Sequence, residues 1–328
     1  MVVNKWVVGL LFFIVGCSVS PTGQGTALAP SEKGRLDVHF CQVENCSSFL
    51  LALIEQSQDS IECAFFDLDL KEIMKALGEK SLSIEVKLVI DNENALPNLK
   101  GGGVKYDTSS QYSHNKFCIF DNKKVFTGSF NPTVRDNTKN DNNIVIIESR
   151  YILQNYRDEF EELWNGTFGD GAEVQFPIVY LNGNHIENYF CPEDKCSERV
   201  IEVIKSARES IYFMTFSFTH DAIADAILFK DVEIRGIFEK VGAGSEYSQF
   251  GRFKGFGLDV VKDANPANMH HKVFIVDKKI VITGSFNPSS NADRDNDENI
   301  LIIYNESIAA EYLKEFDRVY GMTQNLLK

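Results

Sequence analysis

The stretch HNKFCIFDNKKVFTGSFN, residues 114–131, returns 156 residues later as HHKVFIVDKKIVITGSFN, residues 270–287. Both copies hold His, one residue, Lys, four residues, Asp, six residues, then Gly-Ser, one residue and Asn. Chance does not set six residue types at the same spacing twice in one chain. His114 and Lys116 stand two apart where a strand is expected to begin, so their side chains share a face. Residues 117–120 continue as a buried apolar strand, 121–124 turn the chain and 125–127 return it. Gly128-Ser129-Phe130-Asn131 then carries a hydroxyl and an amide back beside the imidazole and the ammonium. Two such copies, related by a pseudo-two-fold axis, would set both groups around one cleft.

The repetition runs well beyond this stretch. Phe40, Cys41 and Cys46 recur as Phe190, Cys191 and Cys196, at an offset of 150. Amphipathic helical patterns follow, through Phe49, Leu50, Leu53 and Ile54 in one copy and Val200, Ile201, Val203 and Ile204 in the other. Strands are expected at 61–66 and 211–218, then helix and strand at 71–77 and 84–90, matched by 222–228 and 232–238. Two more strands and a helix, 151–164 or 308–320, close each copy. This predicts an α/β chain of two tandem lobes, residues 36–170 and 171–328, each a mixed β-sheet flanked by helices. The second copy carries eight extra residues within 240–268, read as a mobile loop flanking the site.

Composition agrees with two domains. At 328 residues, 44% hydrophobic and 24% charged, the chain exceeds one ordinary core and is neither disordered nor collagen-like. A net charge of −14 disfavours general coating of nucleic acid, which needs clustered Lys and Arg, but permits a locally basic cleft. Near the start, Lys5 precedes an uncharged run over 6–15 and then Gly16-Cys17. A bilayer span needs about 20 apolar residues, so residues 1–16 read as an export signal. The Ser-, Gly- and Pro-containing segment that follows reads as a flexible tether over 17–35, with an r.m.s. span on the order of 25 Å.

The doubled motif resembles the HxK(x)4D(x)6GSxN signature of the phospholipase D superfamily, and the likeness covers about 36–320. The strings TGSFN at 283–287, YFMTFSFT at 212–219 and YLKEF at 312–316 look most like the small bacterial endonucleases of that superfamily. Those carry one motif per chain and dimerise, so this chain resembles their fused form and is expected to act as a monomer. The resemblance implies a covalent phosphohistidine with no metal and no cofactor. Ile14-Val15-Gly16-Cys17 likewise resembles the lipobox of bacterial lipoproteins, which implies a lipid on Cys17, export to the cell envelope and a membrane anchor.

The residue set suits phosphodiester cleavage on its own terms. One imidazole attacks phosphorus, the other protonates the leaving oxygen, and the second exchanges acid for base when water cleaves the intermediate. Lys116, Lys272, Ser129, Ser285, Asn131 and Asn287 are expected to stabilise charge on the non-bridging oxygens. Two imidazoles with one ordinary pKa of about 6.5 must be made different. Eleven residues after Asn287 stands Glu298, whereas eleven after Asn131 stands Asn142. By resemblance to two-motif relatives, Glu298 orients His114 as nucleophile and Asn142 contacts His270 as acid. Asp121 and Asp277, in the turn, read as structural. His271 reads as packing, and His220 as a solvated loop residue or a substrate contact at a strand end. The acidic runs 136–141 and 293–298 otherwise read as solvated loops.

In an exported chain, Cys41 with Cys46 and Cys191 with Cys196 read as disulfides, each worth about 2 kcal/mol by chain entropy. A zinc site built from all four is the alternative. Cys63 and Cys118 align with Phe213 and Phe274 and read as core, not redox, residues. The expected substrate is a phosphodiester, either DNA or RNA, which the motif likeness favours, or a phospholipid, which the tether and acidic charge favour. A phosphatidyltransferase of the cardiolipin synthase type and a non-catalytic binding module are the alternative functions.

Overall fold

The computed structural model describes residues 29–95 and 103–326; the expected signal, Cys17 and the tether as far as residue 28 lie outside the described residues. One sheet runs in the order Arg35–Phe40, Asn143–Glu148, Lys124–Gly128, Lys116–Phe120, Ser60–Phe65, Glu85–Ile90, Val104–Tyr106. The other runs Ser31–Glu32, Ile178–Leu181, Asn184–Cys191, Glu298–Tyr304, Ile280–Gly284, Lys272–Val276, Ser210–Thr215, Glu233–Phe238, Asp259–Lys262. Both are mixed. Ser60–Phe65 pairs parallel with Glu85–Ile90 and antiparallel with Lys116–Phe120, and Ser210–Thr215 does the same with its counterparts. The tether ends sooner than expected, because Ser31–Glu32 pairs parallel with Ile178–Leu181 and joins the second lobe's sheet.

Each sheet buries its two faces differently. Helices Cys46–Gln56 and Lys71–Lys80 cover the outer face of the first sheet through Leu50, Ile54, Ile73 and Leu77. Cys196–Ser206 and Asp221–Leu228 do so for the second through Val200, Ile204, Ile223 and Ile227. The inner faces share one core, in which Phe117, Ile119, Tyr156 and Phe160 join Tyr212, Ile275, Tyr312 and Phe316. Helix Arg150–Asn165 enters that core because Ile152, Tyr156, Phe160 and Leu163 recur at helical spacing. Ser149 caps its start by accepting the Ile152 N–H, and left-handed Gly166 ends it. The lobes therefore cannot separate without exposing apolar surface on both.

Several readings are corrected. The strand expected over 211–218 ends at Thr215, and His220 instead caps helix Asp221–Leu228, its Nδ1 accepting the Ile223 N–H at 3.4 Å. His220 is only 9% exposed, with Nε2 3.6 Å from Asp293, so it is not a solvated loop residue. The inserted segment is not a bare loop. It holds helix Phe250–Gly255, which packs Phe250 and Phe253 on Phe238, and the edge strand Asp259–Lys262. Cys41–Cys46 and Cys191–Cys196 are disulfides, which removes the zinc alternative. Cys63 and Cys118 are buried as expected but also bonded to each other, because strand register sets them directly opposite. Their sequence separation of 55 makes this crosslink worth about 4 kcal/mol in the chain-entropy model. In the second lobe the same register places Phe213 against Phe274, rings 5.9 Å apart.

The motif aspartates tie hairpin to strand. Asp121 and Asp277 begin turns in the left-handed region, at φ 51 for each. The Asp121 carboxylate accepts the N–H groups of Gln58, Asp59 and Ser60 at 2.9, 2.7 and 3.2 Å; Asp277 accepts those of Arg208, Glu209 and Ser210 at 3.0, 2.7 and 3.0 Å. Burial pushes both carboxyls up, but these donors together outweigh it and hold them below the ordinary 3.8. Asp277→Ala is expected to cost about 1–3 kcal/mol in urea melts at neutral pH. A carboxylate depressed by folding contributes fully above its unfolded pKa and loses that contribution as pH falls through the folded one. The gap between wild type and variant should therefore narrow from about pH 5 to about pH 2.

Candidate active site

His114 and His270 precede strands Lys116–Phe120 and Lys272–Val276 instead of opening them, and the opposite lobe holds each in place. His114 N donates to Asp297 O at 3.0 Å while Asp297 N donates to Tyr112 O at 3.0 Å. Symmetrically, His270 N donates to Asp141 O at 2.8 Å and Asp141 N to Asn268 O at 2.9 Å. The residue after each aspartate then meets an imidazole: Glu298 Oε2 lies 2.8 Å from His114 Nδ1, and Asn142 Oδ1 2.8 Å from His270 Nδ1. Ser129 and Ser285 do not reach the cleft. Both are fully buried, and their hydroxyls donate to Asn142 Oδ1 at 3.0 Å and Glu298 Oε2 at 2.6 Å. The glycines before them are required by space. Gly128 at φ +140 and Gly284 at φ +145 would bring a Cβ within 2.3 and 2.2 Å of the Asn143 and Asn299 carbonyl oxygens.

Lys116 and Lys272 are buried, and each donates to the carbonyl of its own motif histidine, at 2.6 and 2.8 Å. Phe66 and Phe216, one residue beyond equivalent strands, lie under these ammoniums at 5.0 and 4.9 Å. The same rings stand edge-on to His114 and His270, at 4.9 and 4.7 Å. By sequence pattern both fall within expected strands, and their identical place in the repeat is the signal that singles them out. Burial depresses Lys116 to about 8, and burial with the Lys116 charge depresses Lys272 strongly. Burial and then the two lysines push both imidazoles down, while burial pushes the Glu298 carboxyl up to about 8 against the pull of Lys116. The site gathers two buried ammoniums and two buried imidazoles, and an anion placed among them would favour the charged form of each.

Both imidazoles open on one cleft of about 530 Å³, with Asn131 and Asn287 on its wall and Tyr112 and Tyr247 also lining it. The Oδ1 atoms of Asn131 and Asn287 are buried with no protein partner among the described residues. None of the lining residues is Lys or Arg. Ser245 and Tyr247 reach the cleft from the inserted segment. The acidic runs are solvated only in part: Asp295 is exposed, but Asp136, Asp141, Asp297 and Glu298 are at most 4% exposed, because they lie in the seam between lobes. His271 is buried there too, but as a hydrogen-bonding residue, between Asn143 Oδ1 at 3.1 Å and Glu315 Oε1 at 3.0 Å. Its counterpart Asn115 bridges Asn299 at 2.7 Å and Glu159 at 2.8 Å. Among the described residues, Glu159, Glu162 and Glu193 group their carboxylates as metal ligands could, but none lines the cleft.

Residues 50–164 and 200–320 match the family described as cardiolipin synthase, PLD-like domain. A phospholipase D of Rickettsia prowazekii (strain Madrid E) is 30% identical over 144 residues, 43% of this chain and 70% of that protein. Mitochondrial cardiolipin hydrolase of Homo sapiens is 32% identical over 127 residues, 37% of this chain and 50% of its own length. The crystal structure of phosphatidylserine synthase from Haemophilus influenzae shares the fold, with TM-score 0.65 and 12% identity over 88% of this chain and 86% of its own. Nuc from Salmonella typhimurium, a phospholipase D family member, aligns 94% of its chain with 42% of this one at 28% identity and TM-score 0.40. With both matched stretches carrying the complete motif, this chain belongs to the phospholipase D superfamily.

Proposed function

We propose that the protein is a phosphodiester hydrolase in which His114 is the nucleophile and His270 the general acid. The observation that carries this reading is the pair of imidazoles on one cleft, each with Nδ1 engaged across the lobe seam and Nε2 without a protein partner among the described residues. His114 Nε2 bonds to phosphorus as the bond to the leaving oxygen breaks, and that oxygen takes the proton from His270 Nε2. Water then attacks the phosphohistidine, giving a proton to His270 as the P–N bond breaks. The Glu298 carboxylate favours His114 as nucleophile because it stabilises the positive charge that grows on the ring, whereas the Asn142 amide orients His270 without supplying charge. Lys116, Lys272, Asn131 and Asn287 compensate the non-bridging oxygens. The two ammonium groups take the part that a metal ion plays elsewhere.

Among phosphodiesters, we favour a phospholipid. The cleft wall beyond the reacting groups is uncharged, which suits a single phosphate with neutral neighbours. A nucleic-acid strand would bring flanking phosphates, and these are ordinarily met by Lys and Arg. Lipid on Cys17 and a short tether would hold a monomeric enzyme, complete in one chain, at an envelope membrane.

Three substrates in chelator-containing buffer test this: mixed vesicles of phosphatidylcholine, phosphatidylglycerol and cardiolipin, single-stranded DNA, and double-stranded DNA. Headgroup release from vesicles is expected, and it should vanish in His114→Ala; cleavage of DNA alone would reverse the substrate assignment, and turnover of none would refute the hydrolase reading. Acid-quench trapping separates the two histidines. With bis(4-nitrophenyl) phosphate, whose leaving group needs little protonation, His270→Ala should accumulate phosphoenzyme and His114→Ala none, with the opposite pattern exchanging their roles.

A further inference from the structure

The phosphohistidine reading leaves one requirement unmet. His270 must carry a proton to act as acid, yet it is buried, and Lys272, Lys116, His114 and His271 all face it and oppose a further positive charge. Its Nδ1 partner, Asn142, is neutral. One carboxyl group does approach, pushed up by burial and pulled back by its Asn131 and Asn140 donors and by the Lys272 charge. Asp136 Oδ2 lies 3.6 Å from His270 Nδ1. Asp136 is 4% exposed and firmly oriented: Oδ2 accepts the backbone and side-chain N–H groups of Asn131 at 2.8 and 3.0 Å, and Oδ1 accepts from Asn140 at 2.5 Å.

The internal repeat supplies a comparison within the same molecule. Five residues after the motif asparagine stands Asp136 in the first lobe and Ala292 in the second; eleven residues after it stand Asn142 and Glu298. Each lobe thus presents one carboxylate to the opposite imidazole, from interchanged positions. At His114 it touches Nδ1 directly, at 2.8 Å; at His270 it stands back at 3.6 Å while an amide holds the ring.

We propose that Asp136 is the counter-ion of His270, a positioning residue that keeps this imidazole protonated for delivery to the leaving oxygen. The role rests on the assignment of His270 as acid. In the step itself, the Nε2–H bond breaks as the O–H bond of the leaving group forms, and the ring becomes neutral. Direct contact, as at Glu298, would favour a nucleophile; charge at a short remove favours an acid that still releases its proton.

The test uses the full chain as wild type, Asp136→Asn, and Asp136→Ala/Asn142→Glu, which transplants the second lobe's arrangement into the first. Two readouts are taken: turnover of bis(4-nitrophenyl) phosphate against vesicle phosphatidylglycerol, whose alkoxide leaving group needs a proton, and the NMR titration of the His270 ring. Asp136→Asn should lose at least about tenfold more activity on the lipid than on the aryl ester, and its alkaline limb should move down by about one pH unit. Its His270 ring should also titrate lower than in wild type. The double variant should return the titration, and because its carboxylate touches the ring directly it should leave the lipid turnover low. Equal losses on both esters with an unmoved alkaline limb would reduce Asp136 to a structural residue. Should the wild type turn over neither ester, the hydrolase reading fails, and the titration decides this one separately: an unchanged His270 midpoint in Asp136→Asn overturns it. If Asp136→Asn does not fold, the double variant takes its place, and a His270 midpoint below wild type there refutes the proposal.

Discussion

The structure depends on a backbone exchange made twice across the pseudo-two-fold axis. In each, the amide of a motif histidine donates to an aspartate carbonyl of the other lobe, and that aspartate's amide donates back to the carbonyl two residues ahead of the histidine. Backbone donors and acceptors buried in a seam must be paired, and here the pairing is intermolecular in character though the lobes share one chain. Because Asp297 and Asp141 are held this way, the next residues, Glu298 and Asn142, arrive at the imidazoles with no freedom of register. Neither lobe can complete its half of the site alone.

Around this exchange lies a polar seam inside an apolar core. Thr127, Asn143 and Tyr156 meet Thr283, Asn299 and Tyr312 through hydrogen bonds between 2.9 and 3.2 Å. Such networks add little net stability over well-packed apolar residues, but once assembled they tolerate only one relative placement of the lobes. Placement is what two half-sites require, since a shift of an ångström would part an imidazole from its acceptor. Buried lysines beside buried histidines are costly; the Glu298 and Asp136 carboxyls offset part of that cost, and the shared core and the disulfides of both lobes bear the rest.

Symmetry and its breaking have different sources. Residues that build the half-sites, namely the histidines, lysines, glycines and the phenylalanines beneath them, are the same in both lobes. Those that differentiate the histidines are few: Glu298 against Asn142, and Asp136 against Ala292. A nearly symmetric scaffold thus gives its two imidazoles different surroundings by moving carboxylates through a few ångströms.

Much of this was legible in the residues. The doubled motif, the α/β alternation, the paired lobes and the contrast of Glu298 with Asn142 are local or repeated patterns, and spacing along a strand or helix maps directly onto a face. What could not be read were relations between distant segments. The Cys63–Cys118 bond depends on strand register, and alignment with two phenylalanines described only the burial. The acidic runs resembled solvated loops because charge density alone carries no sign of a lobe interface. The serines looked catalytic by position, yet the fold turns their hydroxyls inward to Asn142 and Glu298. The doubled motif and the two-fold plan are written in the residues; which acceptor faces which imidazole is not, because that depends on backbone hydrogen bonds between segments more than a hundred residues apart.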